Sequence, residues 1–171
     1  MSILYSVLGV VALQRGSELA LAAHNTRSLR ASGAIEADRR GYPWFVVLHA
    51  SWLAALAVFV PADRAPNWPL LVLFAALQLA RLWIIASLGR RWTTRVIVLR
   101  GAPLVRRGPY RWLRHPNYAT VAVEVATLPL AFGAIAIAVV FSAANLALLA
   151  RRIAIEDHAL AASALAQRFW D

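Results

Sequence analysis

The sequence predicts an all-α integral membrane protein, a helical bundle of about five transmembrane helices that ends in a helical hairpin. Of its 171 residues 61% are hydrophobic and its mean hydropathy is +0.61, whereas soluble domains average about 45–50% apolar residues. The apolar residues form stretches of about twenty, the length a helix needs to cross the hydrocarbon core. The arginines gather between these stretches, as the positive-inside rule produces. We expect one membrane domain over residues 1–171.

Residues 1–88 contain three of the predicted spans, and the first covers about 2–23. It carries Gln14, Arg15 and Glu18, whose spacings of three and four place them on one helical face. Charges at membrane depth cost at least ~2.5 kcal/mol each unless they are paired or hydrated. Two interpretations stay open: an Arg15–Glu18 ion pair that locks the helix to its neighbours, or the polar wall of a ligand cavity.

The second and third spans cover about 42–60 and 68–88, and a short proline-containing turn makes them antiparallel neighbours. Gln78 and Arg81 share one face of the third span. Arg81 either extends its charge towards the interface or has a functional role. The segment 24–41 before these spans is interpreted as a simple cytoplasmic connector.

The segment 89–117 is the long polar, basic part of the chain, with several prolines and glycines. Prolines fix φ and remove backbone donors, so a regular helix is not expected here, and we predict a cytoplasmic loop. Within it, residues 95–100 alternate weakly and favour a strand or sheet edge beside the loop.

The stretch 118–160 is apolar and helical in pattern, but as one helix it would be roughly 65 Å long. That is about twice the hydrocarbon thickness, so the chain must fold back. Pro129 and Gly133 are its helix breakers. We predict a hairpin with a short arm at 118–129 and a long arm at 133–160.

Charge also predicts the orientation of the bundle. The arginine-rich segments 24–41, 89–117 and the C-terminal region alternate with the 61–67 turn, which holds one arginine, Arg64. Five crossings with the N-terminus outside place all the arginine-rich segments in the cytoplasm, as expected for a multi-pass protein of a bacterial inner membrane. A net charge of +10 distributed in this way does not indicate a nucleic-acid-binding protein.

Metal and thiol chemistry are not expected. The chain has no cysteine, which removes disulfides and thiolate ligands. Its four histidines are His24, His49, His115 and His158, and none pairs with another at ligand spacing.

Several motifs in the second half of the chain carry a family resemblance. Leu104-Val105, Gly108-Pro109-Tyr110 and the run 114–118, Arg-His-Pro-Asn-Tyr, are followed by the helical segment 152–157, Arg-Ile-Ala-Ile-Glu-Asp. Over roughly 89–160 the chain resembles the isoprenylcysteine carboxyl methyltransferase family. The resemblance implies methyl transfer from S-adenosyl-L-methionine to a lipophilic acceptor, either a prenylcysteine-like carboxylate or a lipid-tailed phenol, enol or carboxylate.

The resemblance also implies roles for individual residues. Glu156 would pair with the cofactor ammonium group, and Arg152 would face the acceptor as a catalytic and substrate-binding residue. Asn145, seven residues before Arg152, lies on the same helical stripe and joins the substrate-binding candidates. The alternative is an arginine that extends to the interface and pairs with its neighbour Glu156. The implied cofactor-binding residues are Ala102, Pro103, Leu104, Val105, Tyr110, His115, Pro116, Asn117, Tyr118 and Glu156.

Glu124, on the short arm of the hairpin, is a second catalytic candidate, because ionisable groups inside a membrane are usually functional. Two other functions remain open at this point. One is a membrane reductase of the sterol-reductase-like type, in which Arg106, Arg107 and Arg111 would bind the 2′-phosphate of NADPH. The other is a non-enzymatic membrane scaffold or transporter subunit.

Overall fold

The computed structural model describes residues 2–99, 102 and 105–168, with side chains described as far as residue 162. Over these residues the chain is mainly helical, with very little strand, which confirms the predicted all-α membrane fold. The α-helices are α1 (Ile3–Ala31), α2 (Tyr42–Phe59), α3 (Trp68–Leu88), α4 (Pro116–Ala131) and α5 (Ile135–Arg168). Short 3₁₀ helices cover Gly89–Arg91 and Gly108–Arg111, and two-residue strands β1 (Ile35–Glu36) and β2 (Ile97–Val98) complete the described structure.

Among the described residues, three helical segments are long and apolar enough to cross a membrane: Tyr42–Phe59, Trp68–Arg91 and Ile135–Ala162. The helix α4 has 16 residues, about 24 Å at 1.5 Å per residue, and is slightly shorter than the ~30 Å hydrocarbon core. The helix α1 is long enough but carries buried charge. Membrane crossing by α1 and α4 therefore stays a prediction.

The helix ends lie at two opposite ends of the bundle. The Ser2 hydroxyl donates to the Ala62 carbonyl, and the Asn67 N–H donates to the Ala131 carbonyl at 2.7 Å. These contacts bring the N-terminus, the α2–α3 turn and the α4–α5 turn to one end of the bundle. The arginine-rich segments before α2 and between α3 and α4 lie at the opposite end.

The predicted hairpin is confirmed. The helix α4 ends at Ala131, two residues beyond Pro129, and α5 begins at Ile135. Gly133, between them, has a φ of +70°, a conformation that glycine adopts without the steric cost of a β-carbon.

The connector before α2 is more structured than expected. The helix α1 continues to Ala31 rather than ending near residue 23. Strand β1 then pairs antiparallel with β2, with Ile35 opposite Val98 and Glu36 opposite Ile97. This pairing confirms an extended segment within 95–100, and it fastens the N-terminal connector to the polar loop.

Ion pairs of Glu36 hold the two strands together. Its carboxylate accepts from Arg95 at 2.6 Å and also from Arg30. Burial alone would raise the pKa of Glu36, but the hydrogen bonds and charges of Arg95 and Arg30 outweigh it and lower that pKa. At neutral pH the ionised Glu36 carboxylate with Arg95 and Arg30 therefore forms an ionic clip, which holds β1 to β2.

The hydrophobic core lies towards the end of the bundle opposite the polar loop. Side chains from α1, α2, α3 and α4 meet there, because each of these helices turns an apolar face inwards. The largest buried members are Leu4, Leu8, Trp52, Leu56, Phe74, Val125, Leu128 and Phe132. This leaves the arginine-rich end for polar groups.

Candidate active site

The hydroxyl of Tyr118 joins the run 114–118 to the helical segment 152–157. Tyr118 is in the first turn of α4, and its O–H donates to the Glu156 carboxylate on α5. The same oxygen accepts a hydrogen bond from Arg152 Nε at 3.1 Å. The hairpin makes this possible because its arms are antiparallel, so the start of α4 lies beside the second half of α5.

The guanidinium of Arg152 is buried, with 6% of the residue exposed. Its Nη2 donates to the Thr94 carbonyl at 2.6 Å, and its Cζ lies 4.8 Å from the Phe45 ring centroid and 5.6 Å from that of Tyr118. Among the described residues no carboxylate is within 4 Å of it, so Glu156 reaches Arg152 through Tyr118 and not by direct ion pairing. A buried cation with neutral partners suits an anionic or polarised oxygen.

His115 and Asp157 extend the cluster at the helix ends. The His115 ring stacks on Tyr118 with centroids 5.3 Å apart, and its Nδ1 lies 3.8 Å from Glu156 Oε2. Its Nε2 lies 3.3 Å from Asp157 Oδ1, which also accepts from Arg114 at 3.0 Å. Pro116 starts α4 directly after His115, a position where a proline loses no hydrogen bond.

The 3₁₀ turn Gly108–Arg111 places Tyr110 against this cluster. Gly108 has a φ of +57°, and a β-carbon there would clash with the Ser87 side chain, so glycine allows the loop to lie close on α3. Burial and then the charge of Glu156 raise the pKa of Tyr110 well above its usual range. Tyr110 therefore presents a neutral hydroxyl near Glu156.

The remaining predicted cofactor residues differ in how they are placed. The side-chain oxygen of Asn117 is buried and has no partner in the described part of the protein. Pro116 is buried, and Ala102 and Val105 are half-buried. Pro103 and Leu104 lie outside the described residues.

A second cluster of charges lies deeper in the bundle. Arg15 contacts Glu18 at 3.0 Å and Glu124 at 2.6 Å. Arg81 contacts Glu18 at 2.7 Å and Glu124 at 3.3 Å, and Gln78 donates to Glu124 at 3.1 Å. The Arg15–Glu18 pair, one of the two interpretations left open by the sequence, forms within a four-charge network that ties α1, α3 and α4 together. Arg81 does not extend to the interface, because its charge is neutralised here.

The structure does not bring Glu124 to Arg152. Glu124 follows Tyr118 by six residues, about 9 Å along α4, and its carboxylate accepts from Arg15, Arg81 and Gln78. No hydrogen bond or ion pair within the described residues links it to Arg152. A catalytic role for Glu124 therefore stays a prediction that its contacts do not support.

Asn145 does lie on the inner face of α5 with Arg152. It is fully buried, and neither its amide oxygen nor its nitrogen has a partner among the described residues. It sits about 10.5 Å deeper than Arg152, by seven residues of helical rise.

Two contributors to the site were missed by sequence reasoning. Phe45 on α2 and the Thr94 carbonyl in the loop both contact Arg152. Neither contact has a local sequence signal, because Phe45 is 107 residues and Thr94 58 residues from Arg152 in the chain. Over the residues the structure describes, no group of three or more histidine, aspartate or glutamate side chains is placed to hold a metal ion.

Comparison of the sequence with known proteins identifies its relatives. The sequence pattern of the isoprenylcysteine carboxyl methyltransferase family matches residues 70–162, more than half of the chain and the part that contains α3, the polar loop and the hairpin. An uncharacterized protein of Bacillus subtilis (strain 168), YpbQ, is 35% identical over 158 residues, which cover 90% of this chain and 94% of that protein. No solved structure matches the chain. The chain therefore belongs to the isoprenylcysteine carboxyl methyltransferase family, a family of membrane methyltransferases.

Proposed function

We propose that this protein transfers a methyl group from S-adenosyl-L-methionine to an acidic oxygen of a lipophilic acceptor at the membrane. The acceptor is a prenylcysteine-like carboxylate or a lipid-tailed phenol, enol or carboxylate. One observation carries the proposal: Arg152, a buried cation without a carboxylate partner among the described residues, is joined through Tyr118 to the half-exposed carboxylate of Glu156. The pair offers two oppositely charged positions side by side.

The residues around Glu156 fit the cofactor. The Glu156 side chain is 26% exposed and supplies a carboxylate for an ammonium group, a charge-assisted hydrogen bond. The Asn117 side-chain oxygen, without a partner among the described residues, is a further acceptor for an N–H group. Tyr110 and the stacked rings of His115 and Tyr118 supply aromatic surface. Bound there, the cofactor would supply a methyl group already activated on a sulfonium.

Arg152 is assigned to the acceptor. A guanidinium in a low-dielectric site attracts a carboxylate or phenolate more strongly than it would in water, and its planar fork matches a carboxylate. Its contacts with Thr94, Phe45 and Tyr118 hold the fork in one orientation. Arg152 thus keeps the acceptor oxygen ionised and aimed, which is the main requirement for an in-line methyl transfer.

The polar loop and the first turns of α4 would exclude water from the methyl-transfer site. The Gly108–Arg111 turn packs on α3 through Ser87, and Arg107 Nε donates to the Ser87 carbonyl at 2.6 Å. The lipid tail of the acceptor would enter between helices from the bilayer. We place the arginine-rich end, with the cofactor site, in the cytoplasm of a bacterial cell, in agreement with the charge bias.

The reductase alternative is less well supported. It requires Arg106, Arg107 and Arg111 to bind a 2′-phosphate, but Arg107 is hydrogen-bonded to a backbone carbonyl and the Arg111 guanidinium lies 5.8 Å from the Trp112 ring centroid. Neither arginine is joined to the Tyr118–Arg152–Glu156 cluster by a contact of the described residues.

Calorimetry of the detergent-purified protein against S-adenosylhomocysteine and against NADP separates the candidates. We expect binding of the first and none of the second, and radiolabelled methyl transfer to at least one lipid-tailed acid or phenol in an acceptor screen. Binding of NADP alone would favour the reductase. Binding of neither would contradict both enzymatic assignments.

A further inference from the structure

Asn145 is a buried polar side chain that no described residue hydrogen-bonds. It is 0% exposed in the first third of α5, and both its amide oxygen and its amide nitrogen lack a partner among the described residues. Buried amides without partners destabilise a fold, so native structures rarely keep them without another use. By contrast the buried Thr127 hydroxyl on α4 donates to the carbonyl of Val123 in its own helix, at 2.7 Å.

A second unsatisfied group lies at the same depth on α2. Phe45 contacts Arg152, and α2 packs antiparallel against α5. Trp52 follows Phe45 by seven residues on α2, and Asn145 precedes Arg152 by seven residues on α5. Because the two helices are antiparallel, Trp52 and Asn145 lie at the same distance along the bundle from the Phe45–Arg152 contact. Trp52 is 1% exposed, and its indole N–H also has no partner in the part of the chain that the structure describes.

The Asn145 amide and the Trp52 indole together favour one kind of ligand atom. The amide offers two N–H donors and an oxygen, and the indole offers one donor, so the combination favours a neutral oxygen acceptor such as a carbonyl. The buried Ser142 hydroxyl, three residues before Asn145 on α5, is likewise without a partner among the described residues and adds one adaptable group. Leu149, buried between Asn145 and Arg152, separates this position from the charged site.

We propose that Asn145 and Trp52 bind a second, uncharged oxygen of the acceptor, a carbonyl or hydroxyl carried on its hydrocarbon chain about 10 Å from the methylated oxygen. The inference rests on the proposed function in one respect, that Arg152 holds the methylated end. It narrows the acceptor class from any lipid-tailed acid to one with an oxygenated chain. The Asn145 amide and the Trp52 indole N–H, which have no partner among the described residues, would then be hydrogen-bonded when the acceptor is bound.

A binding experiment tests this without depending on turnover. The detergent-purified protein, loaded with S-adenosylhomocysteine, is titrated with two long-chain fatty acids of equal length, one plain and one with a keto group about 10 Å from its carboxylate. The wild type should bind the keto acid about three- to tenfold more tightly, the change expected from one or two neutral hydrogen bonds. Asn145→Leu, of similar volume, should reduce the preference to within about twofold while raising the melting temperature of the ligand-free protein.

Two further variants complete the design. Trp52→Phe keeps an aromatic ring but removes the N–H, and should lose part of the preference even if Asn145→Leu does not fold. Thr127→Val, the matched control, removes a buried hydroxyl that is already satisfied and should leave the preference unchanged. An equal affinity of the wild type for both acids, or a preference that persists in Asn145→Leu and Trp52→Phe, would overturn the proposal. Methyl transfer from S-adenosyl-L-methionine, measured on the same preparation, reports separately on the proposed function.

Discussion

Replacement of Arg152 by lysine is the sharpest test of the active site. The guanidinium uses two different nitrogens at once, Nε towards the Tyr118 hydroxyl at 3.1 Å and Nη2 towards the Thr94 carbonyl at 2.6 Å. Its Cζ also lies 4.8 Å from the Phe45 ring centroid. A lysine ammonium is a compact point charge and cannot reproduce this planar fork.

The expected effect follows from the interactions that are lost. Hydrogen bonds involving a charged group contribute about 1.5–3 kcal/mol each, and a desolvated cation–π contact about 2 kcal/mol. Lysine retains the charge and part of one contact, so we expect a net loss of about 3 kcal/mol from the transition state. That corresponds to a fall in turnover of about a hundredfold. Affinity for S-adenosylhomocysteine should stay within about threefold, because Glu156 is unchanged.

The assay combines turnover, S-adenosylhomocysteine binding and melting temperature on one detergent preparation. Arg151→Lys is the matched control: it is the neighbouring arginine, its side chain is 50% exposed, and it pairs with Asp38 at 3.3 Å. The control should keep turnover within about twofold, since exposed pairs contribute little. Near-normal turnover per folded molecule in Arg152→Lys, with a lowered melting temperature, would refute the acceptor assignment and leave Arg152 as a structural residue.

Three other variants test separate parts of the structure. Glu156→Gln should lower affinity for S-adenosylhomocysteine roughly ten- to a hundredfold, since it loses a charge-assisted bond of about 1.5–3 kcal/mol; unchanged affinity by calorimetry would show that the ammonium site is elsewhere. Glu124→Gln leaves Arg15 and Arg81 facing one carboxylate, and should destabilise the fold by about 3–5 kcal/mol in thermal or denaturant unfolding; normal stability with lost turnover would instead support a catalytic Glu124. The folded-state pKa of Glu36 is lowered, so its stabilisation is present above the unfolded-state value of about 4.3 and is lost as the pH falls through the folded-state value. Glu36→Gln should therefore lower the melting temperature at pH 7 but not under strongly acid conditions, and an equal deficit at both would contradict the ionic clip.

Much of the architecture was predictable because its signals are local. The ends of α2 and α3 fall within a residue of the predicted spans, since apolar length and the flanking proline- and glycine-containing turns define them. The hairpin turn at 132–134 follows from a helix too long for the bilayer and from Gly133. Arg152 and Glu156 are four residues apart, a spacing that places both side chains on one helical face, and both contact the Tyr118 hydroxyl in the structure.

The role of the N-terminal half was not predictable in the same way. The sequence alone indicates that Arg15 and Glu18 are able to pair, and it makes Glu124 a catalytic candidate. Helix packing decides that Glu124 accepts from Arg15, 109 residues away, and from Arg81, 43 residues away, contacts that no local pattern indicates. It also places Phe45 and Thr94 on Arg152, and it leaves the side-chain polar groups of Asn145 and Trp52 at one depth without a partner in the described part of the chain. Hydropathy and spacing determine which residues share a face of one helix, whereas only the packed bundle sets the rotation and depth of each helix against the others, and these decide which faces meet.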